Sequence, residues 1–240
     1  PHWFRPLFAE LEARGWAHDR IDARTLTLDP GNPPGPYGLV FNRMSPSAFQ
    51  RGAAAAVFAT AEYLAAWESR GVEVVNGSAA WRTELSKIRQ LQLIDSLGLA
   101  HPASRFVQPS GIRNAAGGLG FPLVVKPNVG GSGAGVVRFD TPDDLDHALE
   151  AGTVDLGPTG VGIVQRYVPP TDGRIQRVEV LDGEVLYGIR VYAPEGEFNL
   201  CPADACRTAD GRELVRTACA LDAQDQGLKV EAFPVEGRVA

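Results

Sequence analysis

One lysine and a run of glycines stand together in the middle of the chain, in the stretch FPLVVKPNVGGSGAGVVRF of residues 121–139. Residues 121–125 form a continuous apolar run that predicts a buried strand, and Lys126 follows where that strand would emerge. The sequence GGSGAG of residues 130–135 comes next, before a second predicted strand. Glycines let backbone N–H groups approach an anion closely, and an ammonium group is a point charge suited to phosphate. The stretch predicts a nucleotide-phosphate site, with a glycine-rich hairpin tip beside an ordinary surface lysine as an equally good alternative.

Lysine is rare in this chain. There are 20 arginines but only three lysines, at positions 87, 126 and 229. Arginine is therefore the default basic residue, and each lysine is a candidate for a specific role. Lys87 lies in a helix predicted over residues 79–96. The residues expected on or near its buried side are Leu85, Ile88, Leu91, Leu93 and Leu97. A solvated lysine on a helix surface is the ordinary alternative for this residue.

Composition excludes several classes of function. The net charge of −6 argues against a large nucleic-acid-binding face. No apolar run approaches the roughly 20 residues of a membrane span, so no membrane partner is predicted. The three cysteines, Cys201, Cys206 and Cys219, are too few for a disulfide scaffold and form no zinc-binding set. They predict reduced thiols in a cytoplasmic protein, and a substrate-facing thiol is the alternative.

The pattern of predicted elements changes along the chain. Strands at 39–41 and 72–75 flank an alanine-rich helix over 49–70, which indicates an α/β unit with a mainly parallel sheet. Beyond residue 160, alternating segments around the turn sequence LDGE predict an antiparallel hairpin over 175–192. A further helix is predicted over 210–221. The fold class is thus α/β, with α+β character in the second part.

In this order the segments resemble the ATP-grasp superfamily, and within it the branch of ribosomal-protein glutamate ligases and lysine-biosynthesis ligases. The motifs are SKIRQLQLIDSLGLAHPAS, FPLVVKP with GGSGAG, IVQRYVPP, and RIQRVEVLDGEVLYGIRVY. The resemblance implies an ATP-grasp domain over residues 77–240, preceded by a small doubly wound α/β domain over residues 1–76. We expect the first domain to lack its first strand and the second its C-terminal metal-binding strands.

The resemblance also implies a nucleotide site. Its residues would be Lys87, Lys126, Gly130, Gly131, Ser132, Gly133, Gly135, Gln165, Arg166, Tyr167 and Val168. The two lysines would contact the nucleotide phosphates, the glycine loop would close over them, and the hinge over residues 165–168 would read the adenine edge. The resemblance places Ile175 at the position of the family's ribose-binding acid. Asp172 could substitute, but it is equally well explained as a turn former.

Three further residues fall on family positions near the substrate. Arg177 and Arg190 would bind carboxylate or phosphate, with a solvated strand face as the alternative for both. Asn199 matches the family's phenylalanine–asparagine segment, but CPADAC replaces the paired glycines expected after it, which leaves the substrate open.

The resemblance implies Mg²⁺ as a cofactor. Its carboxylate and asparagine ligands would follow the helix over 210–221 and are expected beyond Ala240. Glu231 and Glu236 are poor candidates. No metal-ligating residue is therefore assigned in this chain.

The implied function is ATP-dependent ligation of a small-molecule or peptide carboxylate to an amine through an acyl phosphate, with release of ADP and phosphate. The alternatives are an ATP-binding regulatory module without catalysis and an ATP-grasp small-molecule kinase; a homo-oligomer is kept among the candidate partners. A dinucleotide-binding oxidoreductase is disfavoured because the glycines precede a strand and not a helix. Residues 1–240 alone are expected to be inactive even if they bind nucleotide.

Overall fold

The computed structural model describes residues 4–32, 35–131, 133–192 and 230–235. The chain divides into two compact units, Pro1–Met44 with Ala55–Ser78, and Ser45–Ala54 with Ala79–Ala240. The break after Ser78 lies close to the predicted boundary at residues 76/77, whereas the segment Ser45–Ala54 goes with the second unit. The identities of the two domains remain predictions.

The first unit is built on a strand–helix–strand arrangement. Helix α1 spans Arg5–Ala13, strand β1 Leu39–Phe41, helix α2 Ala54–Glu68 and strand β2 Glu73–Val75. Strands β1 and β2 pair in parallel, with Val40 opposite Val74. The predicted parallel α/β unit is confirmed for this pair.

The second unit contains a four-stranded antiparallel sheet in the order β3-β6-β4-β5. Its elements are α3 (Ser78–Glu84), α4 (Lys87–Ser96), β3 (Ser104–Val107), α5 (Ile112–Leu119), β4 (Leu123–Pro127), β5 (Val137–Phe139), α6 (Pro142–Glu150) and β6 (Gly162–Arg166). Strands β4 and β5 pair directly, with Leu123 opposite Phe139. The predicted hairpin around the glycine loop is therefore confirmed.

The two faces of this sheet differ. Alternation along β4 turns Leu123 and Val125 into a core that includes Ile112 of α5 and Leu145 of α6. The same alternation places Val124 and Lys126 on the opposite face. Packing of the two helices on one face thus determines which face can carry polar chemistry.

A second, three-stranded antiparallel sheet has the order β7-β8-β9. Its strands are β7 (Arg174–Leu181), β8 (Glu184–Tyr192) and β9 (Val230–Phe233). Asp182 and Gly183 join the first two strands with φ angles of 52° and 79°. Positive φ at both central residues is typical of the tight turns that close hairpins, and the predicted hairpin is confirmed.

The single helix predicted over residues 79–96 is wrong. Ser86 adopts an extended conformation (φ −134°, ψ 107°), and its side chain accepts a hydrogen bond from Arg89 N at the start of α4. Serine favours this N-cap position because its oxygen satisfies a free N–H group of the first turn. Lys87 is consequently the first residue of α4. The prediction of a buried side is wrong for Leu93 and Leu97, which are 49% and 63% exposed. The other three positions of that prediction are half-buried: Leu85, Ile88 and Leu91.

The position of the core predicts that two phenylalanines of the four-stranded sheet contribute very differently to the free energy of unfolding. Phe139 is 0% exposed and Phe106 is 47% exposed. Phe139→Ala should lower the free energy of unfolding by about 3–5 kcal/mol because it removes buried apolar contacts and leaves a cavity. Urea denaturation followed by circular dichroism measures the change. Phe106→Ala is the matched control, and an equal loss for both variants would contradict the assigned core.

Candidate functional site

Lys126 projects from the sheet face opposite the core. It is half-buried, and its Nζ donates a hydrogen bond to Gln165 Oε1 of β6 at 2.8 Å. Burial lowers the pKa of its ammonium group from the ordinary value, because removal from water disfavours the charged form. The side chain is therefore held in a fixed place where its positive charge is poorly compensated.

Lys87 brings a second ammonium group to the same region. Its Nζ donates to Gly130 O at 3.3 Å. Burial lowers the pKa of Lys87 to about 8, and the nearby charge of Lys126 adds to the lowering. Among the described residues, no carboxylate forms an ion pair with either lysine. Two half-buried cations without a counter-charge make a site suited to an anion.

Asn128 connects the two elements that carry the lysines, and the sequence analysis missed it. Its backbone carbonyl oxygen accepts a hydrogen bond from Lys87 N at 3.1 Å. Its side-chain Oδ1 accepts one from Ile88 N, also at 3.1 Å. Both bonds satisfy N–H groups that the start of a helix leaves free. The end of β4 is thus tied to the first turn of α4. The sequence signal that could have identified Asn128 is its place as a polar residue directly after Lys126-Pro127.

The glycine loop is a compact hairpin tip beside these lysines. Gly133 and Gly135 have φ angles of 76° and 67°, a region that favours glycine. A Cβ at Gly135 would also lie 2.7 Å from Pro127 Cγ. Both the backbone conformation and this close contact therefore require glycine at position 135. Among the described residues, the N–H groups of Gly130, Gly131 and Gly135 have no hydrogen-bond acceptor. The loop therefore offers backbone donors next to Lys87. Ser132 lies outside the described residues.

The hinge predicted over residues 165–168 is partly engaged in the fold. Arg166 N donates to Ala103 O at 2.9 Å and Tyr167 N donates to Pro122 O at 3.0 Å. Val168 is 60% exposed, and in the described part of the chain its N–H group has no acceptor. Of these backbone donors, that of Val168 is available to a ligand. The Gln165 side chain is buried and bonded to Lys126.

Strand register separates the two predicted substrate arginines. Arg177 lies opposite Ile189, whereas Arg190 lies opposite Gln176. Directly opposed residues share a face and neighbours along a strand alternate, so the two arginines lie on opposite faces of the sheet. Arg177 Nη2 lies 3.8 Å from Glu179 Oε1. Their predicted roles in binding substrate remain untested.

Arg190 has the less satisfied side chain of the two. Its Nε is buried without a hydrogen-bond partner among the described residues, and its guanidinium lies 4.8 Å from the centre of the Phe233 ring. A buried donor without a partner is unfavourable, so this group is suited to an anionic ligand.

The Arg190 face also carries Glu231, which stands opposite Arg190 in the register. Glu231 Oε2 accepts from Tyr192 OH at 2.5 Å. A hydrogen bond with Tyr192 raises the pKa of Arg174, and Arg174 Nη2 lies 3.2 Å from Asp172 Oδ2. Asp172 is an exposed turn residue with a φ of 52°, so both explanations offered for it from sequence remain open.

Several predicted residues cannot be placed. Four of them lie outside the described residues: Asn199, Cys201, Cys206 and Cys219. The helix predicted over residues 210–221 lies outside them as well. Within the described ranges, no three histidine, cysteine or acidic side chains are grouped to hold a metal ion, and no helix is long and apolar enough to cross a membrane.

Comparison with known proteins places these features in a family. Residues 87–205 match the RimK-like ATP-grasp domain. The chain is 31% identical over 147 residues to the "Probable alpha-L-glutamate ligase" of Methanococcoides burtonii, covering 60% of this chain and 48% of that protein. It is 30% identical over 173 residues to the protein of the same name from Teredinibacter turnerae, covering 71% and 54%.

A solved structure supports the fold. The RimK domain protein ATP-grasp from Sphaerobacter thermophilus aligns with a TM-score of 0.62 and 22% identity, covering 78% of this chain and 67% of that one. The chain spans about half the length of the curated relatives it matches. The predicted family and fold class are confirmed: residues 87–205 match the RimK-like ATP-grasp domain, and the described part of the chain has the fold of an ATP-grasp structure.

Proposed function

We propose that the protein is an ATP-dependent carboxylate–amine ligase. The observation that carries the proposal is the pair of half-buried ammonium groups of Lys87 and Lys126, which lack a carboxylate partner among the described residues and lie beside the glycine loop. A polyphosphate supplies the missing negative charge. The names of the curated relatives support ligase chemistry, and cytoplasm is the compartment we propose.

The nucleotide phosphates would occupy the space beside the two lysines. Lys126 and Lys87 would donate to phosphate oxygens. The N–H groups of Gly130, Gly131 and Gly135, which have no acceptor in the described part of the chain, would add neutral donors. Catalysis of phosphoryl transfer depends mainly on positioning and on stabilising charge. Closure of the loop would exclude water from an intermediate that hydrolyses readily.

Arg190 is our candidate for binding the reacting carboxylate. Its buried Nε has no partner in the described part of the chain, and guanidinium groups bind carboxylate and phosphate in a bidentate manner. Arg177 lies on the other face of its sheet, 3.8 Å from Glu179, so we give it no part in the same contact. Asn199 remains a candidate from the resemblance alone.

The proposed reaction proceeds in two steps. A carboxylate oxygen attacks the γ-phosphorus of ATP, the bond from that phosphorus to the bridging oxygen of ADP breaks, and an acyl phosphate forms. The amine nitrogen then attacks the carbonyl carbon, phosphate leaves, and the amine loses a proton as the amide forms. The lysines balance the charge of the transferred phosphoryl group in the first step.

Mg²⁺ remains a proposed cofactor, one that neutralises phosphate charge when bound. Glu231 offers a carboxylate on the Arg190 face, but Mg²⁺ takes octahedral oxygen coordination. The described residues contain no group of three candidate ligands. They do not by themselves form a magnesium site, and no step is assigned to the metal.

Product analysis of the complete natural protein tests the reaction type. The protein is incubated with ATP, L-glutamate and a panel of amino acids, dipeptides and carboxylic acids, with glutamate chosen because the curated relatives are named glutamate ligases. We expect one ADP and one free phosphate for each ligated product, whose mass is that of the two substrates minus water. Liquid chromatography with mass spectrometry measures all three. Lys126→Gln should abolish product because it removes a phosphate contact.

Two other outcomes would contradict a ligase. ADP with a phosphorylated acceptor and no free phosphate indicates a kinase. ATP binding without turnover on any member of the panel favours the regulatory module.

Nucleotide binding should also be coupled to proton uptake by Lys87. Its pKa in the folded protein is about 8, so part of the population is neutral at about pH 8.5. A bound polyphosphate favours the charged form and raises this pKa, which draws a proton from solution. ATP affinity should therefore fall as the pH rises through about 8. Titration calorimetry in buffers of different ionisation enthalpy measures the proton count.

Lys87→Arg is the control, because an arginine at this position stays charged across the whole pH range. It should bind ATP with little or no proton uptake at about pH 8.5. Equal proton uptake by the wild type and this variant would show that Lys87 is not the group that titrates.

A further inference from the structure

Three hydrogen bonds connect Lys126 to the backbone through two buried or half-buried side chains. Lys126 Nζ donates to Gln165 Oε1 at 2.8 Å. Gln165 Nε2 donates to Ser104 Oγ at 2.8 Å, and Ser104 Oγ donates to Pro102 O at 2.7 Å. Each length is that of a well-formed bond. This series of hydrogen bonds runs across three strands, β4, β6 and β3.

The direction of every bond is determined by its two ends. A backbone carbonyl only accepts, so the single hydroxyl proton of Ser104 is used on Pro102 O. Ser104 Oγ can then only accept from Gln165, which must turn its NH₂ group toward the serine. The amide oxygen consequently faces the ammonium group of Lys126, which can only donate. The opposite amide orientation would place the NH₂ group against the ammonium group of Lys126, and the amide oxygen against a serine oxygen whose only proton is already used.

The surrounding sheet gives these groups little freedom. Ser104 and Val124 both lie directly opposite Gln165 in the register, and Gln165 is 8% exposed. Water has little access to replace a lost partner of the amide. Removal of the serine hydroxyl leaves the NH₂ group unsatisfied and removes the constraint on the orientation of the amide.

We propose that Ser104 is a positioning residue that acts through Gln165 to hold the ammonium group of Lys126 in place for phosphate. This rests on the proposed nucleotide site. One N–H of the ammonium group is held by the amide oxygen, and two remain for phosphate oxygens. Other charged groups near this bond are Lys87, whose pKa reflects the Lys126 charge, and Arg138, which is bound to Asp140 at 2.6 Å.

Variants at position 104 isolate the hydroxyl group. Ser104→Ala and Ser104→Val remove it, and Ser104→Thr retains it with the shape of valine. ATP affinity, measured by calorimetry on the complete natural protein, should fall about 3- to 10-fold in the first two variants and return to near the wild-type value in the third. Ser110→Ala is the matched control, because Ser110 is exposed and has no side-chain hydrogen bond among the described residues.

A second readout does not require nucleotide. The chain has only three lysines, so protein labelled with ¹³C and ¹⁵N in lysine alone gives few side-chain signals, and Lys126→Arg assigns that of Lys126. Without ATP, loss of the hydroxyl should lower the pKa of Lys126, because its charged form loses a well-placed acceptor. Ser104→Thr should restore it, and a merely structural role for the serine would leave it unchanged.

The double variant Ser104→Ala/Gln165→Ala tests whether the serine acts through the glutamine. It should match Gln165→Ala alone in both Lys126 pKa and ATP affinity. Additive effects, or wild-type values in both Ser104→Ala and Ser104→Val, would overturn the proposal. Failure of the wild type to bind ATP would refute the nucleotide site, while the pKa of Lys126 would still decide whether Ser104 holds its ammonium group.

Discussion

The second unit depends on an electrostatic imbalance: two half-buried ammonium groups stand close together, and no carboxylate of the described residues forms an ion pair with either of them. Loss of water disfavours this arrangement most, and mutual repulsion adds to it; both lower the pKa of Lys87. Such an arrangement is costly to the folded protein and is useful where an anion binds. The surrounding contacts maintain it. Asn128 ties the first turn of α4 to the end of β4, and Gln165 holds the ammonium group of Lys126.

The fold separates the tasks of this site. One face of the four-stranded sheet packs on α5 and α6 and forms the core, which leaves the other face for Lys126 and Gln165. The hairpin loop brings backbone donors to the same end of β4. The three-stranded sheet presents Arg190 on one face and Arg177 on the other. We propose that nucleotide binding lies with the first sheet and that substrate contacts lie with the second.

Much of the fold around the two lysines could be predicted from the sequence, because the sequence signals for its strands and turns are local. The apolar run before Lys126, the glycines after it and the LDGE turn each specify a strand or turn within a few residues. The helix break at Ser86 was missed because helical periodicity on both sides concealed an N-cap serine. The role of the Gln165 side chain and the separation of Arg177 from Arg190 depend on register between strands, which one sequence does not specify. Asn128 was missed because its partners are about 40 residues away in the chain.

The most direct test of the central claim is protection of individual lysines by ATP. The complete natural protein is treated with an amine-acetylating reagent for short times, with and without saturating ATP, and modification at each lysine is measured by peptide mass spectrometry. ATP should slow acetylation of Lys87 and Lys126 together. Equal acetylation of Lys87 and Lys126 with and without bound ATP would contradict a phosphate site between these two residues.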